Sequence, residues 1–289
     1  MRSLSQQSNP TGVWMVLAGA TLWGTTGTAQ AFAPSGTSPA AVGAVRLAIG
    51  GLALLAFALA RRSFTSGKPW PRLATGLAAG CMAGYQLCFF AAVSQTGVAL
   101  GTIVAIGSAP VLAGALGRLA FGEMLDRKWF LATSLAILGC TTLLATGGKI
   151  QLDIRGILLA LAAGACYATY AVASKQLLQD HTPDAVIAVV FCLAAALLSP
   201  VLLTADLKWL AQVRGLVVAL HLGLIATAAA YILFTRGLKY IPVANAVTLS
   251  LAEPLTAALL GILLLGERLT IPAWLGAGLL LAGLALLSL

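Results

Sequence analysis

An all-α membrane bundle of ten spans, built as two inverted copies of a five-helix unit, is the fold class that three observations predict. The 289-residue chain is 60% hydrophobic and 9% charged, with a mean hydropathy of +0.98, whereas soluble domains carry about 25% charged residues. Its apolar residues fall into stretches near the ~20 residues that cross a bilayer, joined by short connections. Its second half repeats its first at a constant offset of 144 residues.

Taken in order, the first span is 12–33, with Thr21, Thr25 and Thr28 on one face and Trp23 on another. It ends in TAQAFA, which loosely fits a cleavage site, but residues 12–39 pair with the internal segment 156–183, which argues against a removed signal peptide. The second span, 40–60, holds Arg46 roughly 10 Å from its outer end at 1.5 Å per residue. The third, 73–93, contains YQLCFF, with Tyr85, Gln86, Phe89 and Phe90. The fourth, 98–118, includes Pro110, and the fifth is 129–147. The sixth, 156–177, places Tyr167, Tyr170 and Ser174 at i, i+3 and i+7. The seventh is 185–204, and the eighth, 215–235, carries a lone His221. The ninth, 242–264, contains Glu253-Pro254, and the tenth is 272–288. The division is thus a tail (1–11), a first repeat (12–147), a linker on the outer side (148–155) and a second repeat (156–289).

The net charge of +9 reads as lysine and arginine retained at the cytoplasmic ends of the spans, not as a nucleic-acid footprint. With the N-terminus inside, eleven basic residues, among them Arg2 and those of RRSFTSGKPWPR, lie inside, and five, Lys149 among them, lie outside. That bias predicts N-in and C-in. The five cysteines all lie in apolar segments, without C-x-x-C or a histidine-rich partner region, and read as small buried hydrophobes. No cofactor or metal is expected.

Within the repeat, Pro110 meets Pro254, Gly117 meets Gly261, Gly122-Glu123 meets Gly266-Glu267, and Gly139 meets Gly283. From 110 to 143, 12 of 34 pairs are identical; the leucine matches are cheap in such a composition, the proline and Gly-Glu matches are not. Since five is odd, the second copy must enter the membrane from the opposite side, the inverted arrangement typical of secondary transporters with a site near the midplane.

With P-x12-E ending a span in both copies, A-x-x-W-G at Trp23-Gly24, and Arg46 seven residues after Pro39, nearly the whole chain resembles the EamA-type branch of the drug/metabolite transporter superfamily. Within it, the chain is most similar to the YddG-type exporters of aromatic amino acids. The resemblance implies a transporter of the bacterial inner membrane that moves small metabolites, often outward, around a central cavity. In the second copy Tyr167-Ala168 replaces Trp-Gly and Val190 replaces the arginine, so these features do not serve both halves alike.

Several residues are candidates for the cavity. Pro110 and Pro254 each disturb the carbonyl four residues earlier; they read as breaks in gate-forming helices or as static kinks. Asn245, Thr248, Glu253 and Thr256 share one sector of the ninth span. Glu253 reads as a ligand for a substrate ammonium, as a proton-carrying site, or as a structural anchor. Its counterpart is Ala109, so the carboxylate belongs to one half only. Arg46 either clamps a substrate carboxylate or locks its helix to a neighbour. Trp23, Tyr85, Phe89, Tyr167 and Tyr170 offer stacking surfaces or serve packing. Gln86 and Asn245 suit a cavity or helix–helix hydrogen bonds equally well. Glu123 and Glu267, at Gly-Glu sequences closing two spans, read as caps or loop contacts, and His221 as a packing residue.

No G-x4-G-K-[ST] is present, which leaves no ATP-driven pump in this chain. An enzyme would need a cluster of polar groups at one height, and only Arg46 and Glu253 are ionisable at clear depth. The reading is an alternating-access exporter of amino acids, aromatic and other neutral ones, and related metabolites, acting as a monomer in lipid, with a proton as candidate coupling ion. An uncoupled facilitator, or a drug or nucleotide-sugar transporter of the same fold, is the alternative.

Overall fold

The computed structural model describes residues 9–145 and 153–289; Arg2, Lys149 and most of the linker predicted at 148–155 lie outside them. The first copy consists of α1 (Pro10–Ala31), α2 (Pro39–Ala60), α3 (Arg72–Thr96), α4 (Val98–Phe121) and α5 (Arg127–Leu144). The second consists of α6 (Ile154–Leu177), α7 (Pro183–Leu197), a short α8 (Ser199–Thr204), α9 (Val213–Leu220), α10 (Ala230–Leu238), α11 (Val243–Leu249), α12 (Ala252–Leu265) and α13 (Ile271–Ser288). No strand occurs among the described residues.

Local chemistry sets the helix ends. Prolines stand in the first turn of α1, α2 and α7, where a missing N–H leaves no bond unmade. Asp126 accepts from Trp129 N at 2.7 Å to start α5, and Asp153 accepts from Gly156 N at 2.8 Å to start α6. Gly122 and Gly266, both left-handed, end α4 and α12.

Seven segments are long and apolar enough to cross a membrane. Three of the ten predicted spans fall short of that measure. α7 has only 15 residues, because the stretch predicted at 185–204 divides at Leu198 ahead of Pro200. α1 is diluted by threonine and glycine, and α5 opens on Arg127-Lys128. Two further departures lie in the second copy. The eighth span is one rod, Val213–Leu238, interrupted by a π-helical stretch at His221–Ala229. The ninth divides at Ser250-Leu251 into α11 and α12. Pro254 is therefore the third residue of α12, where its missing N–H is harmless. Pro110, by contrast, sits inside an unbroken α4, so the expected pair of broken helices is a single break.

α3 packs on α6, α5 on α13, α1 on α10 and α12, and α2 on α7 and the π segment. Without a hydrophobic drive between helices in lipid, such contacts depend on close backbone approach at small residues. The α5–α13 crossing is a close one. A Cβ on Gly139 would overlap Leu280 N and lie 2.6 Å from Gly276 O, and one on Gly283 would lie 2.6 Å from Ala132 O. The sequence-matched glycines thus meet at one interface. Gly139→Val is expected to destabilise the protein by about 1–3 kcal/mol, read as a lowered melting temperature in detergent. Gly278→Ala, on the same α13 with nothing within 4 Å, is expected to leave it unchanged. Equal melting of the two variants would refute the close crossing.

Candidate functional site

A cavity opens where α1, α2, α3, α4, α6, α10 and the α11–α12 break converge. Its space is about 590 Å³ when the open solvent at its mouth is included. Its polar wall holds Arg46, Gln86, Ser250 and Glu253. Its aromatic wall is a cluster of rings: Trp23 lies 4.7 Å from Tyr231 and 6.3 Å, edge-on, from Tyr167, which is 5.8 Å from Tyr85. Ala105, Ile106 and Ala109 of α4 supply a small apolar side, with Ala109 the counterpart of Glu253. Trp23 Nε1 is buried without a hydrogen-bond partner, a free donor in that wall.

The helix break places Glu253 in the first turn of α12, at the positive end of a 14-residue helix. Arg46 is held from behind. Its Nε donates to Thr227 Oγ1 at 3.0 Å and its Nη2 to the carbonyl of Ala226 at 3.3 Å. Both acceptors belong to the π segment, whose wider turn takes backbone groups out of the ordinary ladder. Glycines seat that segment against α2: Thr227 Cγ2 fills the space beside Gly50, and Gly223 lies under Ile49. Among the described residues no ion pair joins Arg46 to Glu253.

Of the candidates read from sequence, Trp23, Arg46, Tyr85, Gln86, Tyr167 and Glu253 line this cavity. The others stand outside the lining. Phe89 stacks on Tyr85 at 5.7 Å, and Tyr170, fully buried, stacks behind Tyr167 at 6.1 Å. Thr248 is buried and bonds Thr133 Oγ1 at 3.0 Å, tying α11 to α5. Asn245 is half-buried on α11. His221 bonds Thr25 Oγ1 through Nε2 at 2.9 Å. Thr26, Tyr231 and Ser250 are lining residues that the sequence reading passed over. Tyr231 carried the same signal as Tyr167, a tyrosine deep in an apolar span. Thr227 carried none, because a π segment leaves no mark on hydropathy.

The two ends of the cavity differ. At the end where α1 starts, Asp184 takes a bidentate contact from Arg236 at 2.9 Å and a longer one from Arg61 at 3.5 Å. Lys68 pairs with Asp180, Trp70 stacks on His181 at 3.9 Å, and Lys175 Nζ holds the carbonyls of Leu238 and Ile241 at 2.6 and 2.8 Å. Glu123, 2% exposed, accepts from Val243 N at 2.7 Å and Ala244 N at 3.3 Å, capping α11. It is a cap, as read from sequence, but for a helix of the other copy. At the opposite end Arg214 bonds the carbonyl of Phe32, and Glu267 is exposed.

The chain matches the EamA-like transporter family twice, over residues 10–145 and 154–289. It is 47% identical over 274 residues to the uncharacterized transporter YwfM of Bacillus subtilis (strain 168), covering 94% of this chain and 92% of that one. It is 33% identical over 262 residues to the threonine/homoserine exporter RhtA of Escherichia coli (strain K12), covering 89% and 84%. A crystal structure superposes with a TM-score of 0.84 at 22% identity, covering 96% of each chain, a likeness of fold.

Proposed function

Because this chain belongs to the EamA-like transporter family of the drug/metabolite transporter superfamily, a family of multi-pass membrane proteins, we propose that it exports neutral amino acids, aromatic ones among them, by alternating access. The observation that carries this reading is the cavity itself: one guanidinium and one carboxylate, not paired with each other, beside a wall of four aromatic rings. A zwitterion brings one charge for each partner, and an apolar or planar side chain suits the rings. Relatives named threonine/homoserine exporters support amino acids as the class.

In this reading the chain crosses the bacterial inner membrane ten times, N-in and C-in, as a monomer, with the two copies inverted. Gly12 at the start of α1 packs on Ile241, and Gly156 at the start of α6 packs on Thr96, which supports starts at opposite ends. The tightly bonded end is cytoplasmic, since Arg61, Lys68 and Arg236 gather there. The cavity then faces outward, and Glu253 is the substrate-ammonium or proton site.

The test is uptake of radiolabelled phenylalanine or threonine into proteoliposomes, each with the other, leucine and lysine as competitors, with and without a pH gradient. Saturable uptake, inhibited by the neutral competitors and driven by the gradient, is expected. Correctly folded protein that takes up neither phenylalanine nor threonine would overturn the amino-acid reading. Linear uptake that never saturates would favour a facilitator.

A further inference from the structure

The two Gly-Glu corners are built alike and used differently. Gly122 and Gly266 both turn left-handed, at φ 66° and 69°. The next N–H reaches back to the carbonyl six residues earlier, Glu123 N to Gly117 O at 3.4 Å and Glu267 N to Gly261 O at 3.0 Å. Each carboxylate then folds over that glycine, where a side chain would collide with Oε2. Identical corners thus present two carboxylates in the same local pose. The Glu123 carboxylate is buried on the N–H groups of Val243 and Ala244, whereas the Glu267 carboxylate is exposed and has no hydrogen bond or ion pair among the described residues.

The repeat offset says where the second carboxylate belongs. Val243 and Ala244 correspond to Ala99 and Leu100, the second and third residues of α4. α4 starts on Gly97, which has no side chain to cap it, and the N–H groups of Ala99 and Leu100 have no partner among the described residues. We infer that Glu267 is a working residue of the transport cycle: when the outer end closes, its carboxylate takes the N–H groups of Ala99 and Leu100 while Glu123 releases Val243 and Ala244. The inference rests on the alternating-access reading, in which inverted copies exchange conformations.

The exchange is a trade between equivalent bonds, since each carboxylate alternates between water and the positive end of a helix of the other copy. The other ties of the inner end have no such counterpart. Asp184, Arg236 and Asp180 correspond to Ala40, Ala92 and Gly36. The outer end therefore depends on Glu267 far more than the inner end depends on Glu123.

The experiment places spin labels at Val98→Cys and Arg268→Cys in the full-length, otherwise cysteine-free protein in lipid, and measures their distance distribution beside transport in the same samples. Two populations are expected, with Glu267→Ala lowering the close one roughly tenfold or more and Glu123→Ala raising it. Ala99→Pro deletes one donor at a first-turn position that accepts proline. It is expected to act in the same direction as Glu267→Ala, and the double variant to be no worse than Glu267→Ala alone. Transport with an unchanged distribution in Glu267→Ala, or additive effects in the double variant, would overturn the latch alone. A single open population and no transport in the parent would overturn the alternating-access reading with it.

Discussion

Arg46→Lys is expected to raise the KM for amino-acid transport roughly 10- to 150-fold, the equivalent of about 1.5–3 kcal/mol for hydrogen bonds to a charged group. Lysine keeps the charge and loses the fork. Arg46 spends Nε and Nη2 on Thr227 and Ala226, which fixes the guanidinium plane and leaves its remaining N–H groups for the cavity. A lysine ammonium cannot hold both acceptors and still present a planar pair of donors to a carboxylate. Thr227→Val is expected to act in the same direction but more weakly, since it removes one of the two bonds from a fully buried position. Initial rates with phenylalanine and with phenylalaninamide separate the causes. The amide lacks the carboxylate, so a variant that lost only the clamp transports it as the parent does. An Arg46→Lys protein with unchanged KM for phenylalanine would make Arg46 a structural tie between α2 and the π segment.

Glu253→Gln is expected to lower transport by a similar factor while leaving the melting temperature close to that of the parent. The substitution keeps the volume, removes the charge and exchanges one acceptor oxygen for an NH2 donor. No ion pair of the described residues includes Glu253, so its charge is not holding a neighbouring cation in place. Its position in the first turn of α12 also tolerates an amide, which is an acceptable helix residue. Uptake driven by a pH gradient distinguishes the two functional roles. Loss of the gradient response with residual exchange would assign proton coupling, and loss of affinity with the response retained would assign ammonium binding. Full activity of Glu253→Gln in both assays would leave the carboxylate without a part in transport.

The sequence by itself determined the membrane class, the doubled architecture and six of the cavity residues. Composition and hydropathy report the solvent a chain prefers, and a repeat offset survives as identities at proline and glycine, where backbone geometry permits few substitutes. Arg46, Gln86 and Glu253 stood out because a polar or ionisable group at membrane depth needs a reason to be there, and Trp23, Tyr85 and Tyr167 as rings that can stack on a planar substrate. Tertiary structure alone decided which of these residues meet. Helical spacing put Thr248 and Glu253 in one broad sector, but they stand on either side of the break at Ser250-Leu251, and Thr248 bonds α5 while Glu253 lines the cavity. Arg46 is presented by a π segment on a distant part of the chain, and Glu123 caps a helix 120 residues away. Those contacts are set by how the two copies pack against each other. No local pattern encodes them, because the partners lie far apart in sequence and several are backbone N–H or carbonyl groups.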